Sequence, residues 1–249
     1  MSTLRARCPD CRTLTAVAVG TEYQCHACGR EFASGLVRVP TAWGEGGEAM
    51  ADAANMKLPW PEAAVVEEAT LDDEIAQLAR ELPARPFLIG GSCCGHVGAV
   101  RELARRNGRI GVVWIDSHGD LNTPESSPTG NAWGMPLRML IAAGNVDPQD
   151  VILLGARNLD PPEVDFIAEA GIRQELGPLP DQIYVALDLD VIRPGHLDVF
   201  MPEPAGPTFD ELERLLAGLP TPIGAGFTGG LRTERNESLL PRLAAALGL

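Results

Sequence analysis

Ile110-Gly111-Val112-Val113-Trp114-Ile115-Asp116-Ser117-His118-Gly119-Asp120 is the stretch that decides the fold class. An apolar run of this length reads as a strand buried on both faces, and such strands belong to parallel sheets covered by helices. The same pattern repeats outward. Phe87-Leu88-Ile89 is a short strand stopped by Gly90-Gly91, and Val151–Leu154, Ile183–Leu187 and Ile223–Phe227 are further strands. Between them Leu71, Ile75, Leu78 and Leu82 recur at helical spacing. A second helix runs through Val97, Val100 and Leu103, and Leu239–Leu247 closes the chain as a third. Apolar strands alternating with helices predict an α/β domain, a mainly parallel sheet with helices on both faces. Residues 40–62, with Pro40, Gly44, Gly46, Gly47, Pro59 and Pro61, read as an irregular connection.

The chain has 249 residues, room for one large domain and a small appendage. Apolar residues make up 45% and charged residues 22%, which favours a packed core over disorder. The net charge is −14, and such a surface repels phosphate backbones, so broad nucleic-acid binding is disfavoured. No segment approaches the ~20 apolar residues of a membrane span, and Met1–Cys8 holds no apolar run of the kind a signal peptide needs. The expectation is a cytoplasmic protein that does not engage a membrane and whose cysteines stay reduced. Homo-oligomerisation is compatible with the sequence.

Four of the six cysteines fall in the first 28 residues, as Cys8-Pro9-Asp10-Cys11 and Cys25-His26-Ala27-Cys28. Two CxxC knuckles at this spacing offer four thiolates tetrahedrally to one structural zinc. Redox chemistry is the alternative, but a redox CxxC normally occurs once, on a βα unit. Residues 1–38 are therefore read as a zinc ribbon that metal binding must fold, and residues 39–249 as the α/β domain.

Asp116-Ser117-His118-Gly119-Asp120 follows one strand and Asp188-Leu189-Asp190 ends another. The carboxyl ends of strands line the ligand crevice of open α/β sheets. Alternation along extended segments would turn 116, 118 and 120 to one side, and 188 with 190. Four carboxylates and an imidazole would then converge. Divalent cations relieve the repulsion, with Mn²⁺ and Mg²⁺ suited to carboxylate oxygen and imidazole adding transition-metal character.

Asp116–Asp120 continuing as Leu121-Asn122-Thr123-Pro124, Ala186-Leu187-Asp188-Leu189-Asp190, and Gly90-Gly91 shortly before a histidine resemble, in order, three motifs of the arginase/agmatinase (ureohydrolase) family. The resemblance covers roughly residues 86–195 and leaves out the ribbon. It implies a three-layer α/β/α metallohydrolase that cleaves guanidinium or related C–N bonds with two Mn²⁺ (or another divalent metal) bridged by hydroxide. It implies bridging roles for Asp116 and Asp188, Asp120 at the first metal, and His118 and Asp190 at the second. Asp120 and His118 would be the catalytic residues. Asn122 and Ser127-Pro128-Thr129-Gly130-Asn131 are similar to the arginase loop that binds an amino acid's α-carboxylate. Asp160 and Glu163 are similar to the carboxylates that read its α-amino group. The substrate implied is a small guanidino compound, with L-arginine the first choice.

Four features depart from that pattern. An ungapped reading of Gly90-Gly91-Ser92-Cys93-Cys94-Gly95-His96 puts Cys93 where the family has a metal-binding histidine. His96, one helical turn on, is favoured as ligand because Mn²⁺ prefers nitrogen, whereas Cys93 would favour zinc. Trp133 replaces a proton-shuttling histidine, Arg193 stands where an aspartate precedes proline, and the late glutamate that pairs with the guanidinium has no clear counterpart near Gly229-Gly230. These departures leave two alternatives open: another guanidino, amidino or amide substrate, or a non-catalytic ribbon protein with a vestigial metal site.

Overall fold

The computed structural model describes residues 5–249 apart from 7, 9, 10, 12, 14, 20, 21, 33, 34 and 61. Residues 1–4, Pro9, Asp10 and several neighbours within the expected ribbon lie outside the described residues.

The N-terminal segment forms a four-stranded antiparallel sheet of β1 (Arg5–Ala6), β2 (Ala16–Val19), β3 (Glu22–Cys25) and β4 (Glu31–Phe32), in that order. Its small core holds Cys8, Ala16, Tyr23 and Cys25 and is completed by Ala63 from the larger domain.

The larger domain is built on a parallel sheet of seven strands among the described residues. These are β5 (Gly35–Val39), β6 (Glu62–Val65), β7 (Pro86–Gly90), β8 (Gly111–Ile115), β9 (Val151–Leu154), β10 (Ile183–Asp188) and β11 (Gly224–Thr228). Their order across the sheet is β6-β5-β7-β11-β10-β8-β9. The helices are α1 (Glu48–Ala51), α2 (Leu71–Glu81), α3 (Gly95–Asn107), α4 (Pro136–Ala142), α5 (Pro161–Ala170), α6 (Phe209–Ala217) and α7 (Glu234–Ala246).

Side chains alternate along each strand, so the buried strands feed two cores. Phe87, Ile89, Val113, Ile115, Val185, Leu187 and Phe227 face α6 and α7 through Leu212, Leu216, Leu240 and Leu243. Leu88, Val112, Trp114, Tyr184 and Ala186 face Leu78 of α2, Val100 and Leu103 of α3, Leu140 of α4 and Ile167 of α5. Burying a Leu, Ile, Val or Phe side chain contributes about 1.5–3 kcal/mol, so the two apolar faces hold the three layers together.

Three boundaries differ from the sequence expectation. β5 pairs with β6 and β7 in the main sheet, so the line drawn after residue 38 cuts through a strand, and the ribbon ends by Phe32. The connection 40–62 contains α1 and a 3-10 turn, Asp52–Asn55, which buries Ala53 and Ala54. α7 begins at Glu234 rather than Leu239 because the Thr233 side chain accepts from the Asn236 backbone N–H, a cap that fixes a charged first turn with no apolar period.

Candidate metal centre

β8 and β10 are neighbours, with Leu187 opposite Ile115, so the residues just past their ends meet. Asp116, Asp120, Asp188 and Asp190 are all buried. Ligand-type atoms of Asp116, His118 and Asp190 gather within 4.8 Å of one another, and so do those of Cys93, Asp116 and Asp120. Asp116 belongs to both groups. His118 Nδ1 lies 3.0 Å from Asp190 Oδ2 and 3.5 Å from Asp116 Oδ1.

The local chain path differs from simple alternation. Asp120 takes a left-handed backbone conformation, φ 53°, a strained state for a residue with a side chain. Asp190 sits on a 3-10 turn, Leu189–Val191, capped by the Asp188 side chain, which accepts from the Asp190 N–H. Ser117 ties the two motifs together, its hydroxyl donating to Asp190 Oδ1 at 2.6 Å. Gly229, at the end of β11, has φ 71°, and a Cβ there would stand 2.0 Å from Asp188 Oδ1. Only glycine lets the chain pass this close to the carboxylate.

Burial and mutual repulsion dominate the electrostatics. Burial, then Asp190, pushes the Asp116 carboxyl up to about 6. Burial lifts Asp120 and Asp188 well above the carboxylate range, reinforced by Asp116 and Asp190 respectively. Burial opposes the His118 imidazolium, but Asp116 and Asp190 outweigh it and raise its pKa to about 12. Asp120 Oδ2 is buried with no hydrogen-bond partner among the described residues. An acidic, converging donor set with an orphaned oxygen fits divalent cations.

The structure does not bring His96 to the carboxylates. Its Nδ1 is 2.9 Å from the Tyr184 hydroxyl and its Nε2 3.3 Å from Thr228 Oγ1, while its ring packs edge-on against Trp114. α3 aims it at the face of the sheet, over Gly226, rather than past the strand ends. Cys93, on the turn before α3, stands at the carboxylates where His96 was the favoured ligand. Its Sγ lies 3.1 Å from Asp188 Oδ2 and 3.6 Å from Asp116 Oδ2.

Above the carboxylates opens a cavity of about 210 Å³, lined by Cys93, Asp116, His118, Asp120, Asp188 and Asp190 and, toward its mouth, by Asn122, Ser127, Thr129, Asn131, Asp160 and Glu163. Among the described residues no Lys or Arg lines it. Asn122 Nδ2 donates to Asp160 Oδ2, and its amide oxygen accepts from Ser126. Ser127 Oγ accepts from the Gly130 N–H, Thr129 Oγ1 from the Asn131 N–H, and Asn131 Oδ1 from the Glu45 N–H. Glu163 lines the cavity and also holds the backbone. Both its oxygens are taken, by the Leu121 and Asp160 N–H groups, so it caps α5 and braces the turn after Asp120.

Sequence reasoning did not single out Thr228, which bonds Cys93, or Glu203 and Asn158, whose side chains stand 3.6 and 3.5 Å from His118 Nε2. Thr228 was within reach, being one residue past a recognised strand. Glu203 was not, because it arrives on a loop far away in sequence. In the ribbon, Cys8 Sγ is 3.4 Å from Cys28 Sγ and Cys11 Sγ 3.6 Å from Cys25 Sγ, so the four thiols form one cluster.

The arginase family model matches residues 38–175, more than half of the sequence. The chain belongs to the arginase family. This arginase-family chain is 39% identical over 98 residues to the arginase of Staphylococcus aureus (strain COL), covering 35% of this chain and 32% of the relative. It is 36% identical over 113 residues to the arginase of Bacillus caldovelox, covering 41% and 36%. These matches thus span only about a third of the curated relatives' length. The fold is similar to the solved arginase from Bacillus subtilis, with TM-score 0.75 and 20% identity over 86% of this chain and 97% of that one. It is also similar to proclavaminate amidino hydrolase from Streptomyces clavuligerus, with TM-score 0.70 and 19% identity over 86% and 89%. No helix among the described residues is long and apolar enough to cross a membrane.

Proposed function

We propose that the chain is a metal-dependent hydrolase cleaving a C–N bond of a small guanidino or amidino compound, with L-arginine, giving L-ornithine and urea, the substrate to test first. The observation that carries this reading is the convergence of four buried aspartates, His118 and Cys93 on the floor of a cavity with no basic lining. Such a floor attracts cations, and the guanidinium group is one. Cys93, Asp116 and Asp120 would hold one divalent ion and Asp116, His118 and Asp190 a second, with Asp188, beside Cys93, completing the donor set. A cation pair in such a setting supplies Lewis acidity and lowers the pKa of water toward neutrality. Cys8, Cys11, Cys25 and Cys28 would hold one structural zinc.

The chain's own residues account for binding and proton handling. Asp120 and His118 are the catalytic residues of this reading. The unpartnered Asp120 Oδ2 takes the proton of the attacking water. His118, 23% exposed and flanked by Asn158 and Glu203, passes protons toward the mouth. Ser127 and Thr129 accept backbone hydrogens, which leaves their hydroxyl hydrogens to donate to a substrate carboxylate beside Asn122 and Asn131. Asp160 receives the α-amino group. Trp133, Met50 and Met201 provide apolar walls that exclude water from the substrate stem.

Thr228 favours a second reading. It and Gly229 stand beside Asp188 at the end of β11, and Glu234 is exposed at the start of α7, so neither supplies the carboxylate a guanidinium would want. Another amidino or amide substrate suits that opening better. The two readings separate in a screen of guanidino and amidino compounds with metal-loaded protein, following urea and ammonia release. The first expects urea from arginine, with agmatine poorer by at least ~10²-fold because the groups that read the α-carboxylate are left unpaired. No urea from any guanidino compound, with both cations bound, moves the assignment to the second.

A further inference from the structure

We infer that Cys93 makes one half of the binuclear centre a zinc position, so that the centre is chemically asymmetric rather than a matched pair of manganese sites. The inference rests on the reading that the carboxylates hold two cations, and concerns which cation each half selects.

Cys93 is 4% exposed, yet its sulfur faces oxygens: Asp188 Oδ2 at 3.1 Å, Asp116 Oδ2 at 3.6 Å and Thr228 Oγ1 at 3.1 Å. A cysteine kept only for packing has no reason to sit among carboxylates, because its thiol is a weak donor and its sulfur a weak acceptor. In a tetrahedral zinc site, with zinc–sulfur about 2.3 Å and zinc–oxygen about 2.1 Å, sulfur and oxygen ligands stand about 3.6 Å apart. The Cys93–Asp116 separation matches that value. Asp120, buried beside Cys93 and Asp116, contributes a carboxylate oxygen to the same group of donors.

No nitrogen competes for this position. Both ring nitrogens of His96 are engaged with hydroxyls, and His118 stands with the other group, alongside Asp190. One half of the centre therefore offers sulfur and oxygen, the other nitrogen and oxygen. Thiolate selects zinc and other thiophilic ions, whereas carboxylate and imidazole accept manganese. The single difference of one sulfur at the β7–α3 turn sets the two halves apart.

The test uses the full-length protein, with its ribbon cysteines intact, beside Cys93→Ser and Cys93→His. Each is dialysed against a series of rising manganese excess over zinc and its metal content measured, and each is loaded with cobalt for absorption spectroscopy. At a manganese excess that displaces zinc from carboxylate and imidazole donors, the wild type is expected to hold about one zinc more per chain than either variant. Cys93→His is expected to take manganese in its place, its zinc-over-manganese preference falling by more than the ~10–100-fold that changes around metal ligands cost. The wild type should also show sulfur-to-cobalt charge-transfer absorption beyond that of Cys93→Ser. Cadmium NMR of the wild type alone gives the same answer without a variant, as one resonance with mixed sulfur and oxygen ligation besides that of the ribbon. Two cations in the α/β domain with identical spectra and metal contents in wild type and Cys93→Ser overturn the inference and leave the binuclear reading standing. No cation beyond the ribbon zinc in any form overturns both.

Discussion

At the residue scale the centre is held by groups that resist ionisation without a cation. Asp116 titrates at about 6 in the fold and near 4 when unfolded, so between those values the folded state binds more protons than the unfolded. Its contribution to stability is present below pH 4 and lost as pH rises through 6. His118, raised to about 12, acts in the same sense, its contribution fading as pH rises above its unfolded value. A bound cation displaces these protons and removes the penalty. Thermal melts with and without chelator across pH 5–8 should therefore show a cation-induced gain in Tm that grows with pH. A gain that is flat, or largest at pH 5, would mean that these carboxylates do not hold the ion.

At the element scale the ends of the strands, not their middles, do the chemistry, and they are set by close approaches. β11 delivers Gly229 against Asp188 with φ 71°. Gly229→Ala should cost about 1–3 kcal/mol of stability from backbone strain and displace Asp188, weakening cation binding as well. Denaturant titration and metal affinity measured on the same variant would check this; an alanine that is neutral in both means that the turn relaxes freely. The loop ahead of α4 carries Trp133, which packs edge-on against Phe200 at 6.1 Å and crowds Gly44, where a Cβ would stand 2.4 Å from the ring. An indole there cannot move protons. Trp133→His should raise turnover near pH 7 by up to ~10²-fold and flatten an alkaline-rising pH profile. An unchanged profile would show that the indole serves packing alone.

At the scale of the whole molecule, the ribbon and the α/β domain have separate sheets and separate cores, joined through Ala63 and Ala84. Among the described residues the large cores of the domain draw nothing from the ribbon, and the ribbon's own core is small and closed by its cysteines, so a metal on those thiols would hold it together. Stripping zinc from Cys8, Cys11, Cys25 and Cys28 should speed hydrogen exchange in β2 and β3 and leave β8 and β10 protected. Loss of protection in β8 and β10 together with the ribbon would show one cooperative unit instead.

The local pattern carried a great deal. Unbroken apolar runs were enough for five of the seven parallel strands, and the 3.6-residue period for α2, α3 and the second half of α7, because each such element buries its own apolar residues. The pairing of Asp116–Asp120 with Asp188–Asp190 was equally legible, since both motifs end strands and strand ends share one crevice. What only the tertiary structure decided depends on contacts between distant segments. β5 joins the main sheet through pairing with β6 and β7, which no local period encodes. Glu163 also braces the backbone because the turn after Asp120 comes within 2.9 Å of its carboxylate. Cys93, and not the favoured His96 three residues on, meets the carboxylates because the path from β7 into α3 aims the sulfur past the strand ends and the imidazole at Tyr184. Sequence determines which groups a segment carries; the crossing of helix over sheet determines which of them reaches the carboxylates.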